Sequence, residues 1–231
     1  MFNYFYYVSK RAGCQSWRPG DTVLDFSQMM LQLVENLITA GQLKTPVIIE
    51  AWRKIDRVDF VAENEKRHAY EDRPLPIGFG QTISQPTTVA FMQELLDPQP
   101  GQKILDVGSG SGWQAAILGM IVGETGQVFG VERIEALRAL GQSRIRRAGL
   151  ANVQINLAGR LIGWPAAAPY DRIIAAASAE SVPKELLEQL KIKGKAVLPV
   201  KNSIFYFERK NRTDFISREY PGFAFVPLIS Q

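Results

Sequence analysis

An apolar run that ends in three alternating glycines constrains the fold of this chain more than any other feature. Residues 104–113 read ILDVGSGSGW, with glycine at 108, 110 and 112. A helical pattern opens at Trp113, so the glycines sit between a strand and a helix. Glycine there lets the backbone approach a ligand closely, and the helix start offers free N–H donors. The next apolar run, QVFGVE, ends in Glu132, about 20 residues on, where a carboxylate typically accepts hydrogen bonds from ribose hydroxyls.

The rest of the chain alternates in the same way. Pro86 suits the first turn of a helix over TTVAFMQELL. KILDVG and QVFGVE read as strands, with helices over Trp113 to Ile121 and Ile134 to Ala148. Asn152 to Leu157 and residues 171–177 (DRIIAAA) are strands, Pro183 to Leu190 a helix, and KAVLPV a strand. SIFYFERK and FAFVPLI close the chain as short β runs. Strands alternating with helices predict an α/β fold, a doubly wound, Rossmann-like and mostly parallel sheet. The closing runs predict an antiparallel C-terminal edge. Upstream, Ser27 is placed to cap a helix to about Ala40, and Thr45-Pro46 to start a second, giving an N-terminal helical layer. Residues 1–26 lack periodicity, carry the turn signal RPGD, and read as a poorly ordered appendage to one domain over 27–231.

Composition removes several function classes. The chain has 27 Lys and Arg against 23 Asp and Glu, a formal net charge of +4, with no long basic run. That argues against a nucleic-acid partner, and Arg144, Arg146 and Arg147 read as a solvated helix face. One cysteine, Cys14, forbids an intrachain disulfide and fits a reducing, cytoplasmic setting. No apolar run approaches the ~20 residues that span a bilayer, and the aromatic start lacks the parts of a signal peptide. With one histidine and one cysteine, no His/Cys metal site is expected. A Ser-His-Asp hydrolase would depend on His68, which has no nucleophile-elbow motif to serve.

The glycine turn leaves more than one ligand open. Read from Gly110, GSGWQA also satisfies the dinucleotide pattern G-x-G-x-x-A. Asp106, two residues before the first glycine, and the strict glycine alternation favour S-adenosylmethionine (SAM) over a nicotinamide cofactor. A turn that binds nothing is the third possibility, because a fold by itself fixes no chemistry.

A rarer string, Pro74 to Pro86, narrows the reaction. Residues 69–86 read AYEDRPLPIGFGQTISQP, and three prolines with two glycines argue against regular structure over most of it. This segment resembles the protein-L-isoaspartate O-methyltransferase family. The resemblance continues through ILDVGSGSGWQAAIL, GVER, NVQI, GWPAAAPYDRIIAAA, VPKELLEQLK, AVLPV and FAFVPLI, in order, over roughly residues 30–229. It implies methyl transfer from SAM to the carboxylate of L-isoaspartyl residues in damaged proteins. The ester then collapses to a succinimide that reopens partly to aspartate, which makes this a repair reaction. It implies that Gln81, Thr82 and Ile83 pack against SAM and that Ser84 is the catalytic residue. Asp106, Gly108, Ser109, Gly110, Gly112 and Glu132 carry over as cofactor-binding, with Gly159 and Arg160 at the adenine end. Ile83 and Ser84, with Ala176 and Ala177 from the loop running to Ser178, would flank the acceptor.

The chemistry suits so few bases. A carboxylate with an unperturbed pKa near 3.9 is already ionised at neutral pH, so the task is placement rather than proton abstraction. Ser84, with a hydroxyl at a helix start, reads as a positioner or, failing that, as a plain cap. Three positions depart from the family pattern. Ala158-Gly159-Arg160 stands where the family usually has Gly-Asp-Gly, so one adenine contact is missing, at a cost of roughly 0.5–1.5 kcal/mol. Thr87 replaces a frequent histidine, and Lys201 a frequent glycine. Two other functions remain open from sequence: methylation of a normal aspartate in a dedicated peptide, and a non-catalytic binding module. The expected partners are isoaspartyl proteins and peptides, with no membrane and no second copy of the chain.

Overall fold

The structure is a computed structural model that describes residues 26–229. The expectations for residues 1–25, including the RPGD turn and Cys14, lie outside them. Helix α1 (Phe26–Thr39) buries Met30, Leu33, Val34 and Leu37, one stripe at helical spacing. Ser27 lies inside this helix rather than capping it. Helix α2 (Pro46–Lys54) starts on a proline and buries Ile48, Ala51 and Trp52. Glu94 accepts hydrogen bonds from the backbone N–H of Lys44 and Thr45 and from the Thr45 hydroxyl, tying this start to α3 (Pro86–Leu96).

A seven-stranded sheet has the order β5-β4-β3-β6-β7-β8-β9. Its members are β3 (Lys103–Val107), β4 (Gln127–Glu132), β5 (Val153–Leu157), β6 (Tyr170–Ala175), β7 (Leu190–Val200), β8 (Ser203–Arg209) and β9 (Phe215–Pro221). The first five in that order are parallel, and β8 and β9 add an antiparallel edge. The strands alternate faces residue by residue. Ile104 and Ile174 join the core under α1 to α5, where α4 is Trp113–Val122 and α5 is Glu135–Arg147, while Leu105, Val107, Ile173 and Ala175 join a second core. That second face is covered by one helical turn, α6 (Lys184–Leu187), and by crossover side chains such as Ile162 and Trp164. The chain moves from β3 outward to β5, then crosses back to β6 on the other side of β3. A crevice opens at such a reversal, beyond the carboxyl ends of the strands.

Four expectations need correction. Residues 75–83 are not irregular: β1 (Leu75–Gly78) and β2 (Gln81–Ile83) form an antiparallel hairpin. Its turn takes positive φ at Gly78, Phe79 and Gly80, and each strand of a two-stranded ribbon is an edge that tolerates Pro76. The helix expected over 183–190 is the single turn α6, because from Leu190 the chain pairs with β6. FAFVPLI is not the closing strand. Residues 215–221 take the edge of β8, and 226–228 turn back instead, with the Ser178 N–H donating to the Val226 carbonyl at 2.8 Å and the Leu228 N–H to the Ser178 carbonyl at 2.8 Å. Finally, Arg144 is not on a solvated face: it donates to the carbonyls of Phe60 and Val61 at 2.8 and 2.6 Å, while Arg146 and Arg147 are exposed.

Candidate functional site

A cleft open to solvent lies at the reversal point beyond β3. Its floor is the glycine turn. Gly108, Gly110 and Gly112 hold φ of 81°, 50° and 91°, a backbone that side chains rarely adopt, and a Cβ on Gly110 would meet Ile77 at 3.1 Å. The Gly110 N–H donates to Glu132 Oε2 at 3.0 Å, and the Ile134 N–H donates to Oε1 at 2.9 Å. Glu132 is therefore fixed at the end of β4, with lone pairs left over on the cleft wall. The Ser109 hydroxyl turns inward and donates to the Asp106 carbonyl at 3.0 Å.

Asp106 stands behind this floor, fully buried and not on the cleft lining. Gln114 donates to its Oδ1 at 2.6 Å, and Oδ2 has no partner. Burial, opposed by the bond from Gln114, pushes its carboxyl up to about 6. Gly112 also lies behind the lining. The other expected residues do meet in the cleft: Gln81, Thr82, Ile83, Ser84, Gly108, Ser109, Gly110, Glu132, Gly159, Arg160, Ala176 and Ala177 all line it. His68 does not; it pairs with Glu71 and Arg67 on a 3-10 turn.

Ser84 ends the hairpin, just before α3. It is not the cap: Gln85 holds that position and makes no side-chain cap bond. The Thr87 N–H instead donates to Asp72 Oδ1 at 2.8 Å and the Thr87 hydroxyl to Oδ2 at 2.6 Å, so a carboxylate from 15 residues upstream caps the helix. The Ser84 hydroxyl makes no hydrogen bond among the described residues, and its backbone carbonyl accepts from Arg57 at 3.0 Å.

Several lining or supporting residues escaped the sequence reading. Trp113 lines the cleft with a buried Nε1–H that has no partner. Val226 to Ile229 form a wall that only the bridge to Ser178 brings there. Gly130 and Gly141 make room for the turn. A Cβ on Gly130 would meet Ser109 Oγ at 2.5 Å, and one on Gly141 would meet the Gly110 carbonyl oxygen at 2.8 Å. A glycine inside a strand pattern and one inside a helix pattern were the available signals of close backbone approach.

These observations fit a SAM-sized polar ligand. The turn excludes side chains from its own cradle, and a fixed acid faces the cavity. Comparison with known proteins agrees. The family model described as protein-L-isoaspartate(D-aspartate) O-methyltransferase matches residues 28–231. The protein-L-isoaspartate O-methyltransferase of Methanopyrus kandleri is 42% identical over 211 residues, covering 89% of this chain and 93% of its own. That of Pyrococcus horikoshii is 41% identical over 206 residues, covering 86% and 91%. A solved protein-L-isoaspartate O-methyltransferase superposes with a TM-score of 0.79 at 26% identity, over 86% of this chain and 65% of that one. A Plasmodium falciparum structure, described as a complex with S-adenosyl-L-homocysteine, shares the fold, with a TM-score of 0.78 at 24% identity over 87% and 99%.

Proposed function

The chain belongs to the protein-L-isoaspartate(D-aspartate) O-methyltransferase family, and from that membership we infer that the cleft beyond β3 is where its reaction takes place. The reaction is SAM-dependent methylation of the carboxylate of L-isoaspartyl residues in damaged proteins, a repair activity. One observation carries the assignment of the site: the glycine turn with Glu132 and the hairpin ending in Ser84 face a single cleft.

Bound there, SAM supplies an electrophilic methyl group on a positively charged sulfur. The residues of the chain hold and orient. The turn from Gly108 to Gly110 leaves its backbone open to the ligand, and Glu132 offers acceptors to ribose hydroxyls. Ile83 is buried against the cavity, while Ser84 and the Ala176-Ala177 loop border it. The Ser84 hydroxyl, unengaged among the described residues, donates to the acceptor carboxylate and aims it. That carboxylate is ionised at neutral pH, so no general base is required, in keeping with a single histidine that lies away from the cleft. We take residues 27–231 as one catalytic domain that works as a monomer in the cytoplasm on peptide backbones, without nucleic acid or membrane. The modest net charge of +4 supports the lack of a nucleic-acid partner, and no helix among the described residues is long and apolar enough to cross a membrane.

Tritium-methyl transfer to an isoaspartyl peptide, with the aspartyl peptide as control, tests the activity. Label enters the isoaspartyl form; preference for the aspartyl form would overturn the repair reading. Ser84→Ala removes one bond to a charged group, so kcat falls about 10- to 100-fold. Affinity for S-adenosylhomocysteine (SAH), read by calorimetry, stays unchanged. Equal loss of both would make the loop a cofactor clamp only.

A further inference from the structure

Arg57 is fully buried, yet no carboxylate pairs with it among the described residues. Its two terminal nitrogens are instead spent on backbone carbonyls, while Nε has no partner among the described residues. Nη1 donates to Ala69 at 2.6 Å and Glu71 at 3.3 Å, and Nη2 to Arg73 at 3.1 Å and Ser84 at 3.0 Å. All four carbonyls belong to the segment that leads to and includes Ser84. The same guanidinium lies over the Trp113 ring, 5.2 Å from its centroid, and Trp113 is the first residue after the glycine turn. One side chain thus touches both the acceptor loop and the wall of the cofactor turn.

Burying a charge is costly, and desolvation pushes the Arg57 guanidinium down to about 10, opposed by the field of the nearby Asp72 carboxylate. A planar fork surrounded by carbonyl dipoles offsets part of that cost and dictates the path of the chain supplying them. The turn carrying Arg57 is itself anchored. Asp56 Oδ1 accepts from the Val58 N–H at 3.2 Å and the Tyr70 hydroxyl at 2.7 Å, and Arg144 holds the Phe60 and Val61 carbonyls. At the surface the same loop is closed by Asp72, through its two bonds to Thr87.

We propose that Arg57 and Asp72 are positioning residues for methyl transfer, holding the Ser84 loop in register with the cofactor turn from inside and outside respectively. Neither touches the reacting atoms; both act through Ser84, so the proposal rests on the role given to that serine above. Lysine cannot replace Arg57, since a single ammonium point reaches fewer carbonyls and presents no planar face to Trp113.

The test uses the full chain, SAM and the isoaspartyl peptide, with Arg57→Lys, Asp72→Ala, Ser84→Ala and the two double variants with Ser84→Ala. Misplacing an acceptor by about 1 Å costs up to about 100-fold, so Arg57→Lys lowers kcat at least about tenfold and Asp72→Ala about threefold. SAH affinity stays within about threefold of the starting protein. In the Ser84→Ala background neither substitution lowers kcat by more than about twofold further, the signature of residues acting through a shared partner. Unchanged kcat, SAH affinity falling in step with kcat, or losses that multiply with Ser84→Ala would each overturn the proposal. If Arg57→Lys does not fold, the Asp72→Ala pair decides, because Asp72 is exposed and its removal leaves the core intact. If Ser84→Ala alone leaves kcat intact, it is the role of the serine that fails instead.

Discussion

Gly159 is the residue whose change says most about cofactor affinity. It lines the cleft where the family usually carries an aspartate, and a Cβ built on it meets nothing within 4 Å. The backbone there therefore accepts a side chain without strain. Gly159→Asp adds one hydrogen-bond acceptor, worth about 0.5–1.5 kcal/mol, so SAH binding tightens by up to about tenfold in calorimetry. Weaker binding would mean that the adenine end is organised differently in this chain. The other two departures have local accounts. Thr87 supplies both donors to Asp72, a role its N–H and hydroxyl fill together. Lys201 holds φ of 51° between β7 and β8, a conformation that costs a non-glycine residue about 1–2 kcal/mol. Asp106 was readable as part of the motif. Its burial was not, because an acid two residues before a glycine looks the same whether its carboxylate faces the ligand or the core.

Among elements, the packing of α5 on the glycine turn is a tight constraint beside the site. Gly141 brings the helix so close that a Cβ would meet the Gly110 carbonyl oxygen at 2.8 Å and Ile155 Cδ1 at 2.9 Å. Alanine in a helix gains up to about 1 kcal/mol over glycine, but overpacking costs about 1–3 kcal/mol, and a backbone oxygen in a strained turn has little freedom to yield. Gly141→Ala therefore loses net stability in urea titration and weakens SAH binding along with it. Stability lost with binding intact would place the strain on Ile155 alone. The hairpin of β1 and β2 shows the opposite case, where local signals misled. Prolines and glycines read as loop, yet Gly78 and Gly80 serve the turn and Pro76 tolerates an edge. At the other end, β9 and the segment after it compete for the edge of β8, and nothing local to FAFVPLI says that it turns away to Ser178.

At the scale of the whole molecule, the cleft is a junction of parts distant in the chain: the hairpin, the glycine turn, residues 158–163 and residues 226–229. A ligand that bridges them stabilises the folded state by mass action, about 2.7 kcal/mol at a hundred times its Kd. At about 2–4 °C per kcal/mol for a chain of this size, saturating SAH raises Tm by roughly 5–10 °C. Hydrogen exchange slows in all four segments together. Protection confined to 108–113 would mean that the cleft does not close on its ligand as one unit. The order of strands and helices from Lys103 to Arg209 was legible in the amino-acid order, because period-2 and period-3.6 patterns and the glycine turn are local properties. So was the reaction, since the hairpin string and the turn are contiguous motifs. What only the tertiary structure decided is how these pieces meet: Arg57 under Ser84, Asp72 capping a helix 15 residues away, Val226 to Ile229 as a wall, and Asp106 out of reach behind the floor. These contacts are chosen by packing and hydrogen-bond satisfaction across the fold rather than by local pattern, Arg57 meeting Ser84 across 27 residues and Asp72 meeting Thr87 across 15.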